Sequence, residues 1–138
     1  MSQYRGKQMQ SGTAVSNAET EFYPFLQEAV KEGTIPPFST DKRITIQQTN
    51  PDFTWDEEQT ALYLDGPPHD NDRQGEKDEV ENGLLIRQKW KVVRVHYNGR
   101  KISRRKQLLI LQWVKEAFED SRRGRLWEHW LEVEAEQQ

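Results

Sequence analysis

Two aspartates and a histidine in the middle of the chain have the types and spacing of a metal-dependent phosphodiesterase site. Asp52 opens a short apolar strand and Asp65 ends the next, so a tight antiparallel hairpin would bring their carboxylates together. Two carboxylates suit Mg²⁺ or Mn²⁺, which polarises a phosphoryl group and activates water. His69 follows at a short distance and could act as a general base or leaving-group acid, because imidazole exchanges protons near neutral pH.

The same residues also have a purely structural interpretation. Asp52 could cap a turn, Asp65 and Gly66 could form another, and His69 could lie on the surface. Residue types and spacing alone leave both interpretations open.

Charge is segregated along the chain. Between Asn50 and Glu81 there are eleven acidic and two basic residues, whereas Arg87 to Lys106 holds nine basic residues and no acid. This segregation could steer a polyanion to one face, although two solvated faces of opposite sign would give the same pattern. Cations at a helix start oppose the helix dipole and so do not stabilise the helix. This favours contact with a DNA backbone over the alternative, a simply solvated loop. The residues of this basic turn are Arg100, Lys101, Arg104, Arg105 and Lys106.

Composition excludes several kinds of site. The 138 residues include no cysteine, which rules out disulfides, thiolate metal centres and a cysteine nucleophile. No window approaches the roughly 18 apolar residues of a membrane helix, so we expect a cytoplasmic protein without a membrane partner. Trp113, Trp127 and Trp130 have helical spacing and are expected in the core, which leaves Trp55 or Trp90 as the better base-stacking candidates.

Periodicity predicts an α/β domain. We expect a disordered arm over residues 1–17 and one domain over 18–138. The predicted helices are 18–31, 75–89, 103–120 and 126–136, and the predicted strands are 43–49, 52–55, 60–64 and 91–97. The first three strands would form an antiparallel meander, and a helical crossover would add a parallel strand, which gives a mixed β-sheet flanked by helices. The last helix could also pack on a partner, in a homodimer or a larger complex.

Several of these segments together resemble the PD-(D/E)XK nuclease superfamily. They are Pro51 to Phe53, Tyr63 to His69, Lys77 with Asp78 at a helix start, and Trp90 to Val95. The resemblance is to very short patch repair endonucleases and to the small nuclease-like domains appended to bacterial superfamily-2 helicases, and it spans about residues 18–120. It implies a restriction-endonuclease-like fold and a Mg²⁺- or Mn²⁺-dependent DNA endonuclease, acting in DNA repair, in defence or in a mobile element.

The resemblance also assigns roles to individual residues. Asp52 matches the first metal-binding acid, Asp65 the acid of the Asp-Gly step and His69 the family histidine. Glu21, or Glu19, matches an acid contributed by the first helix, and Arg94 matches a strand arginine near phosphate.

The chain departs from the superfamily pattern at the second acid and the lysine. Either Pro67 stands in the lysine slot or Tyr63 stands in the acid slot. Some branches of the superfamily replace this lysine with a histidine or supply it from the following helix. By that resemblance, His69, Gln74 and Lys77 are the candidates for the lysine's role. Tyr63 and Pro67 favour an alternative, a catalytically inactive nuclease-fold module for DNA binding or assembly. The third interpretation is an acidic-pocket interaction domain that has no ligand at all.

Overall fold

The computed structural model describes residues 17–40, 51–66, 71–97 and 102–131, with side chains at 20–40, 51–66, 79–97 and 102–131. Four strands form one sheet in the order β1-β2-β3-β4, with β1 antiparallel to β2 and the remaining pairs parallel. The elements in chain order are α1 (Asn17–Lys31), β1 (Phe53–Trp55), β2 (Thr60–Asp65), α2 (Asn71–Arg87), β3 (Lys91–Tyr97), α3 (Arg104–Glu119) and β4 (Arg125–Leu131). Among the described residues, no helix has both the length and the apolar character needed to cross a bilayer.

The predicted mixed α/β architecture is confirmed in its main features. The strands β1 and β2 form an antiparallel pair. The helix α2 then crosses over to β3, which pairs in parallel with β2 as predicted. The strand expected at 43–49 and most of the predicted arm lie outside the described residues. On the side of β1 that faces away from β2, Ser39 forms an isolated antiparallel bridge with Thr54.

The helix predicted at 126–136 is wrong over residues 126–131, and its remaining residues lie outside the described part of the chain. Residues Arg125–Leu131 form β4, paired in parallel with the whole of β3. The spacing of Trp127, Trp130 and Leu131 fits a helix, but the same segment also alternates and is rich in bulky residues that favour strands. Gly124, with a φ of +66°, redirects the chain after α3, and a second crossover then places β4 beside β3.

The two faces of the sheet are packed differently. The face covered by α1 and α3 carries the larger apolar core, in which Leu62, Val93 and Leu131 meet Phe22 and Val114. The face covered by α2, here called the α2 face, has a small cluster of Ala61, Tyr63, Leu85, Trp90 and Val92. Beyond that small cluster, polar side chains occupy the α2 face towards the carboxyl ends of the strands.

Candidate functional site

The carboxyl ends of β2, β3 and β4 present two rows of side chains on the α2 face. Alternation along a strand puts every second side chain on the same face, and the parallel register aligns these residues across neighbouring strands. One row is Asp65, His96 and Trp130, and the row before it is Tyr63, Arg94 and Glu128. Ligands of parallel sheets bind outside these ends, so we take the two rows, with Asp52, as the candidate site.

Arg94 is the buried centre of this site. Its side chain is only 1% exposed. Nε donates to Asn82 Oδ1 at 3.1 Å, one terminal nitrogen donates to Asp65 Oδ2 at 2.8 Å, and the other donates to Glu81 Oε1 at 3.0 Å. The guanidinium carbon lies 3.8 Å from the centre of the Tyr63 ring. These charge-assisted bonds compensate the burial of the guanidinium, and they orient the Asp65 carboxylate.

Asp52 is held against the end of β2 by two hydrogen bonds. Its Oδ2 accepts a bond from the Leu64 main-chain N–H at 2.7 Å, and its own N–H donates to the Leu62 carbonyl at 3.0 Å. The Asp52 carboxylate therefore touches the residue directly before Asp65. The two acids predicted to bind metal lie at the same corner of the sheet.

His96 lies between two carboxylates. Its Nε2 is 2.7 Å from Glu128 Oε2, and its Nδ1 is 3.8 Å from Asp65 Oδ2. The imidazole also stacks on the Trp130 indole, with ring centres 5.0 Å apart and an interplanar angle of 20°. Because the carboxylates of Glu128 and Asp65 lie by different ring nitrogens, the three groups form a chain of contacts across the sheet.

Glu21 is placed on the opposite side of the sheet from Asp65. It belongs to α1, whose Phe22 packs in the larger core, and it lines a groove with Arg104 and Gln107. Among the described side chains, no group of three or more His, Asp or Glu residues is arranged to hold a metal ion. Of the carboxylates in the site, Glu81 contacts Arg94 and Glu128 contacts His96, while Asp52 and Asp65 are the two at the end of β2 and the candidate oxygen ligands for a cation.

The remaining predicted site residues fall in three groups. His69, Arg100 and Lys101 lie outside the described residues, and Lys77 is described only as part of the α2 backbone. Arg104 and Arg105 are exposed at the start of α3, where Ser103 caps the helix by accepting from the Lys106 N–H at 3.3 Å. Since α3 follows β3, this basic helix start lies at the same edge as the carboxyl ends of the strands.

Arg94 differs from its predicted role. The resemblance placed it beside phosphate, whereas it has no exposed surface and its three donor groups are bonded inside the protein. Its place on a central strand, flanked by neighbours from β2 and β4, explains the burial. In this arrangement Arg94 orients the Asp65 carboxylate through a hydrogen bond.

Sequence reasoning missed five residues of the site: Glu81, Asn82, His96, Glu128 and Trp130. In α2, Glu81 and Asn82 turn towards Arg94, and the apolar Val80 beside them is 61% exposed, which is the opposite of what an apolar pattern would indicate. The signal for His96 was its position two residues after Arg94, which puts both on one face of a strand.

Of the tryptophan predictions, those for Trp113 and Trp127 are confirmed, because both pack against the larger core, whereas those for Trp55, Trp90 and Trp130 are wrong. Trp55 and Trp90, expected beside the site as stacking candidates, are buried, at 0% and 6% exposure. Trp130 was expected on the buried, apolar face of a helix, but it is 65% exposed on β4. The error for Trp130 follows from the helix assignment, because helical and strand periodicities send the same side chain in different directions.

Comparison of the chain with protein-family models, with curated proteins and with solved structures finds no match. The interpretation of the site therefore depends on its residues and their geometry.

Proposed function

We propose that this chain is a DNA endonuclease domain of the PD-(D/E)XK type that hydrolyses phosphodiester bonds with Mg²⁺ or Mn²⁺. The observation that carries the proposal is the corner at the end of β2, where the Asp52 carboxylate bonds the Leu64 amide, one residue before Asp65. The order of helix, antiparallel pair, helix and parallel strand supports the restriction-endonuclease-like assignment.

The donor set at this corner fits magnesium. Mg²⁺ keeps several waters and is commonly held in proteins by one or two carboxylates together with substrate phosphates. Asp52 and Asp65 would hold the ion, and the ion would supply polarisation of the phosphoryl group and activation of water. Arg94 fixes the orientation of Asp65 through the 2.8 Å bond, and the basic start of α3 offers exposed cations for the DNA backbone.

A second candidate function is a nuclease-fold module that binds DNA or assembles with partners without cleaving. The specific observation in its favour is that one oxygen of Asp65 already accepts from a buried guanidinium, which competes with a cation for the same carboxylate. Tyr63, at the position of the second acid, adds an aromatic ring under Arg94 and no oxygen ligand of carboxylate type.

Plasmid nicking separates the two candidates. Supercoiled DNA is incubated with the wild-type chain and Mg²⁺ or Mn²⁺, and with the isosteric variants Asp52→Asn and Asp65→Asn. Asp56→Asn is the matched control, because Asp56 is an exposed acid in the turn after β1. Loss of an outer-shell partner typically costs about 10- to 100-fold in activity, so loss of a direct ligand should cost at least about 100-fold.

The endonuclease proposal expects nicking by the wild type and by Asp56→Asn, with strong loss in the other two variants. Equal nicking by all four proteins would remove Asp52 and Asp65 from the site. Salt-sensitive DNA binding with no cleavage under any divalent ion would support the inactive module instead. Thermal melts of each variant show whether it is folded.

A further inference from the structure

Trp130 is a large aromatic side chain displayed on the protein surface. It is 65% exposed on β4, although the next residue, Leu131, is buried in the larger core and Trp127 of the same strand packs against that core. The alternation of β4 directs Trp130 to the α2 face, beside His96 and in the row that begins at Asp65.

The indole is held in place by contacts within the protein. His96 stacks on it at 5.0 Å, and Glu128 in turn anchors His96 through the 2.7 Å contact to Nε2. The main-chain register of β3 and β4 fixes all three positions. The exposed aromatic surface is therefore oriented before any ligand arrives, which lowers the entropy lost on binding.

The surroundings of Trp130 select the chemistry of its ligand. A nucleobase has a planar face that stacks on an indole, and base–aromatic stacking does not depend on base identity. The carboxylates of Glu128 and Asp65, which are 33% and 17% exposed, accept hydrogen bonds of the kind that exocyclic amino groups donate. The Glu128 carboxylate, which contacts the His96 ring stacked on the indole, disfavours a phosphate there, so a base, and not the backbone, matches the Trp130 ring.

We propose that Trp130 is a stacking platform for an unpaired nucleobase, so that the preferred ligand is DNA with a single-stranded segment. Bases inside a duplex are already stacked and paired, and their faces cannot reach a side chain on a sheet surface unless they are unpaired. This inference rests on the proposed function, namely that the chain acts on DNA, and it adds the structural class of the substrate.

The test is fluorescence anisotropy with a labelled single-stranded oligonucleotide and with the duplex of the same sequence, at one salt concentration. Stacking is worth about 1–3 kcal/mol per base, so Trp130→Ala should weaken single-strand binding by about 5- to 150-fold. Trp130→Phe keeps an aromatic face and should retain most of the affinity. Leu108→Ala, which removes another exposed apolar side chain, should bind like the wild type.

The expected pattern is a loss in Trp130→Ala that is confined to the single strand and rescued by phenylalanine. Unchanged single-strand binding by Trp130→Ala, or an equal loss on the duplex, would overturn the inference. Tighter binding to single-stranded RNA of the same sequence would also overturn it as a statement about DNA. Plasmid nicking by the wild type, together with single-strand binding that Trp130→Ala leaves unchanged, would keep the endonuclease and remove the platform. The expected single-strand loss in Trp130→Ala, together with no nicking by the wild type under any divalent ion, would keep the platform and remove the endonuclease.

Discussion

A single arginine organises the polar half of the α2 face. Arg94 joins Asp65 on β2 to Glu81 and Asn82 on α2, and its guanidinium covers the ring of Tyr63. Each of these contacts is made inside the protein, where the effective dielectric constant is lower than in water. The residue therefore links helix to sheet and sets the orientation of an acid in the candidate site.

Removing this guanidinium should be strongly destabilising. Arg94→Met leaves the Asp65 and Glu81 carboxylates in a partly buried site without their cation, and breaking one side of such a buried pair typically costs about 3–5 kcal/mol. The free energy of unfolding in urea measures the loss. Arg87→Met, at an exposed position in the last turn of α2, should stay within about 0.5 kcal/mol of the wild type. A similar small effect in both variants would contradict the role assigned to Arg94.

The two acids could be predicted from the sequence, but their partners could not. Asp52 and Asp65 sit at the ends of a hairpin whose pairing is local, so alternation and turn residues reveal their proximity. Glu128 and His96 are 32 positions apart and meet because two strands are paired in parallel. Such a pairing depends on the register of the whole sheet, which residue spacing does not encode.

At the scale of elements, Lys91 connects the start of β3 to the end of α3. Its ammonium donates to the carbonyl oxygens of Ala117 at 2.6 Å and Phe118 at 3.2 Å, and also to that of Asp120. The last carbonyls of a helix lack partners within the helix, and a cation there also complements the helix dipole. Lys91 is only 4% exposed, so this cap is part of the interior.

We expect Lys91→Met to destabilise the fold by about 1–3 kcal/mol, since it leaves buried carbonyl oxygens without their donor. Methionine keeps the apolar length of the side chain, so lost packing contributes little. Chemical denaturation followed by circular dichroism gives the difference. Lys31→Met, which also removes a lysine from the last turn of a helix but at an exposed position, is the control. Equal stability of Lys91→Met and wild type would show that the cap contributes nothing.

The elements themselves differ in how well local sequence predicted them. The helices α1 and α3 are amphipathic, and their extents agree with prediction to within one residue. The α2 helix was predicted four residues too short at its start, and its apolar pattern is weak because polar residues face Arg94. For β4, two periodicities fit the same residues, and only the pairing with β3 decides between them.

At the scale of the whole molecule, one edge of the sheet collects the features relevant to function. The carboxyl ends of three parallel strands bring together the Asp52–Asp65 corner, the His96–Trp130 stack and, on the other face, the basic start of α3. In the proposed complex, the backbone of a DNA strand bound at this edge contacts the cations at the start of α3. An unpaired base of the same DNA strand stacks on the exposed Trp130 indole. The homodimer or larger complex expected through a C-terminal helix stays a prediction, since Arg125–Leu131 form a strand and residues 132–138 lie outside the described part of the chain.

We propose that Asp52 and Asp65 share one divalent cation. Anomalous scattering from crystals soaked in Mn²⁺ tests this most directly. We expect a single strong peak at the end of β2, about 2.1 Å from an Asp52 oxygen and within direct or water-bridged reach of Asp65. An empty corner with Arg94 still bonded to Asp65, or manganese only at exposed acids such as Asp56, would contradict the claim.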